Sequence, residues 1–287
     1  MLKILYNFSM IIWIASYPKS GNTFIRSFIS AYYYTNNGEF DFNLLKFIEQ
    51  FPDKQFFDGF INDKDDASKK WLPIQRKLIK SKKVKFLKTH SAYGSYNNNQ
   101  FTTSEVTLGG IYIVRDPRNI ISSLTNHFSL NVDGALNMLL DENRGIKSDD
   151  NNFATYSFLS SWSNHLNSWS NIKSFRTIII KYEDLENNSE KILTDLIRFI
   201  NNLLNNNKGV DYQKFKKAIE TTNFSILKKK ENKDGFFEAM FSKKENKKIP
   251  FFNLGFKSDW KKVLDKKVVE VIEKKFEREM KDMGYLS

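Results

Sequence analysis

The stretch Ile11-Ile12-Trp13-Ile14-Ala15-Ser16-Tyr17-Pro18-Lys19-Ser20-Gly21-Asn22-Thr23-Phe24 leads into a helical pattern that runs from Phe24 to Tyr34. Its first five residues are an unbroken apolar run, the pattern of a short strand buried on both faces. A polar loop follows, and then a helix. N–H groups in the first turn of a helix lack intrahelical partners and carry the positive end of its dipole, so an anion placed there satisfies them. Lys19 adds a full charge, and Ser20 and Thr23 add hydroxyl donors. Strand, P-loop-like turn and helix therefore predict an anion site. It is not a Walker A motif, because G-x-x-x-x-G-K-[ST] cannot be written across residues 15–24, which disfavours an NTPase or mononucleotide kinase.

Outward from this unit the chain keeps alternating. Val84 to Leu87, Ile111 to Val114 and Thr177 to Lys181 are three further short apolar runs that read as parallel strands. Helices are expected at Asp116 to Phe128, Phe153 to Ile172 and Ser189 to Leu204, the last with Ser189 as N-cap and Ile192, Leu193, Leu196, Ile197, Ile200 and Leu203 on one face. A final helix over Val268 to Met283 stops at Gly284. This βα alternation predicts a three-layer α/β/α sandwich around a mostly parallel sheet. Three polar or charged insertions, Asn36 to Lys83, Ser129 to Asn152 and Lys228 to Phe252, have no assigned element. In an open parallel sheet the ligand crevice lies beyond the carboxyl ends of the strands, so such connections would cover it.

Composition narrows the class. The chain has 287 residues, 40% hydrophobic and 15% aromatic, enough for a large core, and no Pro- or Gly-rich linker divides it, so one domain spanning residues 1–287 is expected. Cysteine is absent, which removes disulfides, thiol catalysis and thiol-ligated zinc. The net charge of +12 suits an anionic partner, but Lys, Asn, Ile and Phe are abundant together, so charge alone does not argue for nucleic acid. The apolar segment from Ile4 to Ala15 is interrupted by Asn7 and Ser9 and is shorter than the roughly twenty residues of a membrane span, so a soluble cytoplasmic protein is expected. His90, His127 and His165 fall in separate elements, which gives no metal cluster.

The chemistry lies at strand ends. Lys88-Thr89-His90 closes the second apolar run, and pleat geometry points Lys88 and His90 the same way, a pairing suited to transfer of an anionic group. His127 and His165 lack such neighbours and read as structural. Arg115 emerges after the third run, and Ser123 lies two turns into the next helix, so both can meet one phosphate.

Taken together these residues resemble the cytosolic and bacterial sulfotransferase family, which uses 3′-phosphoadenosine 5′-phosphosulfate (PAPS) and releases PAP. Four motifs occur in the family's order, from about residue 11 to the C-terminus. Residues Tyr17 to Thr23 look like its 5′-phosphosulfate loop, with Lys19, Ser20, Gly21, Asn22, Thr23 and Phe24 as cofactor contacts. Lys88-Thr89-His90 looks like the strand bearing its catalytic histidine, and Arg115 with Ser123 is similar to its 3′-phosphate site. Tyr182-Glu183-Asp184-Leu185 resembles the loop near the adenine, and Thr222-x-Phe224 a further adenine contact. Trp162, His165 and Trp169 follow a helical pattern seen there and read as packing. Two positions depart. Phe24 stands where many members carry tryptophan, which keeps stacking over a smaller area. The segment Asn253 to Trp260 keeps Gly255, Asp259 and Trp260 of the family's late motif but lacks its Arg-Lys pair, which implies either reduced 3′-phosphate affinity or a charge supplied by Lys257 or another lysine.

The resemblance implies sulfuryl transfer to a hydroxyl or amine, with His90 as general base, Lys19 at the leaving 5′-phosphate, Lys88 at the sulfuryl oxygens, and no metal. The alternatives are a P-loop-like nucleotide-dependent kinase and a non-catalytic binder of nucleotide or nucleic acid. The acceptor, a small molecule, glycan or lipid, and the oligomeric state are not written in the motifs. Phe40, Phe56, Phe57, Phe60, Phe236, Phe237 and Phe241 could line an apolar acceptor pocket, although core packing is the simpler reading for each.

Overall fold

The computed structural model describes residues 10–81, 83–148, 151–242, 246–257 and 259–287. Its central sheet has five parallel strands: β1 (Ile11–Ser16), β2 (Glu49–Gln50), β3 (Lys85–Thr89), β4 (Thr107–Val114) and β5 (Arg176–Lys181), in the order β2-β3-β1-β4-β5. Helix α1 (Asn22–Tyr34) follows β1, and α2 (Lys64–Leu78) lies between β2 and β3. Between β4 and β5 come α3 (Pro117–Phe128), α4 (Val132–Leu140) and α5 (Trp162–Ser170). After β5 come α6 (Asp184–Leu203), α7 (Tyr212–Thr221), α8 (Phe224–Asp234), α9 (Lys266–Lys275) and α10 (Glu277–Asp282).

Strand alternation sorts the core into two layers. Ile12 and Ile14 of β1 with Ile111 and Ile113 of β4 pack against α1, α6, α7 and α8. Trp13 and Ala15 with Tyr112 and Val114 pack on the other face, against α2, α3, α4, α5, α9 and α10. Every residue of β1 is buried, as the unbroken apolar run requires. Because the strands are parallel, the loops after β1, β3, β4 and β5 all open at the same edge of the sheet. There the site is built.

The four expected strands are present with small shifts at their ends, and several other elements differ from expectation. Glu49–Gln50, inside the first unassigned insertion, adds an edge strand that pairs with Leu87 and Lys88; two polar residues carry no strand signal. β4 starts at Thr107, four residues before the expected Ile111. Gly109 weakens the strand pattern there, yet its bare backbone lets Leu203 at the end of α6 pack closely, since a Cβ would lie 2.5 Å from Leu203 Cδ1 and 3.1 Å from Arg176 O. The helix expected over Phe153 to Ile172 shrinks to α5. Phe153–Thr155 forms a 3₁₀ turn, Ser157–Phe158 pairs antiparallel with Gly145–Ile146, and Ser161 caps the helix by accepting from Asn164 N–H. Helix α6 joins two helical pieces across the non-helical Asn188 (φ −127°, ψ 24°): a short one from Asp184, which was not expected, and the long one from Ser189, where the helix was expected to start. The last helix breaks at Phe276 into α9 and α10, and Gly284 (φ +69°) follows it as expected. Among the described residues no helix is long and apolar enough to cross a membrane.

Candidate active site

The loop after β1 bends through two left-handed residues, Lys19 (φ +68°) and Gly21 (φ +98°). Such a bend turns successive N–H groups toward one side, the geometry of an anion nest. Helix α1 then begins on Gly21 with no side-chain cap, whereas α2, α3, α4, α5, α7, α8 and α9 each carry one. Its first N–H groups thus face the cavity without a side-chain acceptor. Asn22 is used internally: its Nδ2 donates to Ile14 O (3.0 Å) and Ser16 Oγ (3.2 Å), tying the loop to β1. Ser20 Oγ is buried with no partner. Burial lowers the Lys19 ammonium to about 7, against the pull of Glu238, and its Nζ lies 4.0 Å from the Phe251 ring centre.

At the end of β3 the His90 ring is held by Ser16, whose backbone oxygen lies 2.8 Å from Nδ1 and whose Oγ lies 3.4 Å away. A carbonyl oxygen only accepts, so Nδ1 carries the proton and Nε2 keeps its lone pair. Burial, then the charge of Lys88, pushes the His90 pKa well below the usual histidine value, so the ring is neutral near pH 7. His165, expected to be packing, does more. Tyr112 O–H donates to its Nδ1 (2.9 Å), and its Nε2–H donates to the His90 carbonyl (3.0 Å). Trp169 Nε1–H likewise donates to Ser91 O at 3.0 Å. The backbone carrying His90 is therefore fixed from α5. His127, also read as structural, lines the cavity, with burial and then Lys19 and Lys88 holding its pKa at about 3.

Arg115 projects from the end of β4 and donates to Lys19 O (3.1 Å), Ser123 Oγ (3.2 Å) and Gly255 O (3.3 Å). Its guanidinium lies 4.5 Å from the Tyr182 ring, and its buried Nε has no partner. The Tyr182 ring stacks on Phe256 and covers Gly21, where a Cβ would come within 2.4 Å of it. The late segment is anchored by Trp260, whose ring packs on the Arg118 guanidinium (4.2 Å) and whose N–H donates to Asn119.

These groups surround one cavity of about 820 Å³. Lys19, Gly21, Asn22, Thr23, Phe24, Lys88, His90, Arg115, Ser123, Tyr182, Phe224 and Gly255 all line it. Ser20 stays behind the loop. Thr222 is not brought to the cavity: it is fully buried and its hydroxyl donates to Ala218 O at 2.7 Å. The side chain of Lys257 lies outside the described residues. Lys228 donates to Asn253 O at 2.7 Å and so places a cation beside the position where the Arg-Lys pair is missing.

One residue at the centre has no sequence signal. Glu238, from the third insertion, sits between Arg26 Nη1 (2.6 Å), Thr23 Oγ1 (3.2 Å) and Lys88 Nζ (3.4 Å). Burial would raise its pKa, but Arg26 and Lys88 outweigh this and hold it well below the carboxylate range. Its ion-pair partners lie far apart in sequence, so only the fold joins them. Among the described residues no group of three or more His, Asp or Glu side chains converges on a metal position.

A strand-ended histidine, a loop leading to an uncapped helix and a buried arginine lie at one edge of a single parallel sheet. The model of the sulfotransferase domain family matches residues 10–284, and the chain belongs to that family. Its fold is similar to that of mouse sulfotransferase SULT7A1 complexed with PAP (TM-score 0.53, 18% identity, 94% of this chain and 84% of that chain). It is similar to retinol dehydratase in a complex with retinol and PAP (0.56, 18%, 95% and 81%). The same holds for retinol dehydratase with androsterone and inactive cofactor PAP (0.51, 16%, 95% and 81%). At these identities the likeness is one of fold. None of the curated proteins matches in sequence.

Proposed function

We propose that this chain, as a single sulfotransferase domain, transfers a sulfuryl group from PAPS to a hydroxyl or amine of an acceptor. The observation that carries the reading is the His90 tautomer. Its Nδ1–H is committed to Ser16 O, so Nε2 is the basic nitrogen, in the same cavity as the anion loop. The donor, when bound, supplies an activated sulfuryl group.

The residues fit that donor. The unpartnered Arg115 Nε is a donor without an acceptor in the cavity lining, and Glu238 accepts from Thr23, Lys88 and Arg26, groups suited to anionic oxygens. Lys19, Thr23 and the α1 N-terminus would hold the 5′-phosphosulfate, Arg115 and Ser123 the 3′-phosphate, and Phe24, Tyr182 and Phe224 the adenine. Lys228, which donates to Asn253 O from outside the cavity lining, would be a cation in place of the missing pair. His90 Nε2 takes the acceptor's proton as its oxygen or nitrogen attacks, and the lysines offset negative charge that develops around the reacting centre. Glu238 competes for the same partners as the phosphosulfate. The test is thermal stabilisation by PAP, followed by transfer of labelled sulfate from PAPS. At a hundred-fold excess over Kd, PAP should stabilise the fold by about 2.7 kcal/mol; absence of any shift would remove the reading.

A further inference from the structure

We infer that the acceptor is a carbohydrate, held by polar side chains, and not a phenol, retinoid or steroid. This rests on the sulfuryl-transfer reading and names the substrate class of the same site. In the sheet order β2-β3-β1-β4-β5, the donor groups follow β1, β4 and β5, and His90 follows β3. The acceptor must therefore approach from the remaining side, that of β2.

Two segments wall that side. Phe51 N–H donates to Lys88 O (2.8 Å), and Gln50 lies in register with Lys88. Ala92 N–H donates to Phe158 O (2.8 Å), which seats the Ser157–Phe158 strand two residues beyond His90. Phe153 N–H to Ile61 O (3.0 Å) joins the two walls. From them Gln50, Asp53, Gln55, Thr155 and Ser157 line the cavity. The Gln50 and Gln55 carboxamides and the Ser157 hydroxyl have no side-chain partner among the described residues. Asp53 uses only Oδ1, at 3.4 Å from Gln55 N, and Thr155 Oγ1 accepts from Ser148 N–H, leaving its own proton to donate.

Of the seven phenylalanines expected to form an apolar pocket, Phe40, Phe57 and Phe236 are buried in the core, Phe56 packs against it, Phe60 and Phe241 do not line the cavity, and Phe237 does. Phe42, Leu45, Phe128 and Ile146 give the cavity apolar faces as well, but an apolar acceptor seated on them would still have to meet the polar groups beside β2. Pressing a phenol or steroid against these walls would strip water from a carboxylate, two carboxamides and two hydroxyls without replacing their hydrogen bonds. Adjacent sugar hydroxyls both donate and accept, which matches acceptor-only Asp53 and the two-way carboxamides.

The test supplies the whole chain with labelled PAPS and, separately, N-acetylglucosamine, lactose, maltotriose, 4-nitrophenol and androsterone. Transfer to at least one saccharide, with kcat/KM at least tenfold above the phenol and steroid, is expected. The double variant Gln50→Leu/Gln55→Leu should raise KM for that saccharide at least tenfold while leaving stabilisation by PAP unchanged, which also shows that it folds. Stabilisation by PAP with no saccharide labelled, with the phenol or steroid preferred, or with an unchanged KM in the double variant overturns the carbohydrate assignment and leaves sulfuryl transfer standing. No PAP stabilisation and no labelled product overturns the underlying function.

Discussion

At the scale of single residues, the site is a balance between buried cations and one carboxylate. Lys19 titrates at about 7 because burial penalises its charge, while a bound phosphate favours the ammonium form. Below pH 7 the lysine is already charged and binding needs no proton; above it, binding must take one up. Affinity for PAP should therefore fall as pH rises past 7, by up to about tenfold per unit, and calorimetry at pH 8 in two buffers should register proton uptake that Lys19→Arg abolishes. Glu238→Gln removes the competitor, so PAP should bind about tenfold or more tightly. The free variant should melt lower, since Arg26 and Lys88 lose their buried counter-ion. Weaker PAP binding in this variant would count against the shared seat. His90, Lys88, Arg115 and Lys19 were legible in sequence because each sits at a fixed offset from a strand end. Glu238 was not, since nothing within its own segment marks it, and His165 was hidden because its role runs through the backbone carbonyl of another residue.

At the scale of elements, the loop after β1 depends on a glycine conformation. Gly21 is left-handed and lies under the Tyr182 ring. Gly21→Ala should cost about 1–3 kcal/mol of stability, measured by denaturant unfolding, and should weaken PAP binding as the Tyr182 ring is pushed away; a variant with unchanged stability and affinity would show that the loop is not held this way. The relay from Tyr112 on β4 through His165 on α5 to the His90 carbonyl joins three elements. Tyr112→Phe should therefore lower kcat severalfold with little change in PAP affinity, a split that kinetics and calorimetry separate. The central strands were readable because burial on both faces leaves an apolar run. Elements defined by pairing or capping were not: Glu49–Gln50 is a strand only because β3 offers an edge, and α5 starts late because Ser161 caps it.

For the whole molecule, the three-layer sandwich follows from alternating β-strand and helix patterns, and the parallel sheet collects four loop sites that are far apart in the chain. The insertions were opaque for the opposite reason: they have no periodicity of their own and take their form from the cavity they border. That is also why the acceptor side had to be read from the fold. Of the cations behind the net charge of +12, Lys19, Arg26, Lys88 and Arg115 line the cavity, which suits a compact polyanion. The most direct measurement follows labelled sulfate from PAPS into a mixed panel of saccharide, phenol and steroid acceptors, with the wild-type chain beside His90→Gln. The account predicts labelled product from the wild type and a kcat lower by about 10²–10⁴-fold in the variant, with PAP affinity nearly unchanged. Equal turnover in the two proteins would contradict it.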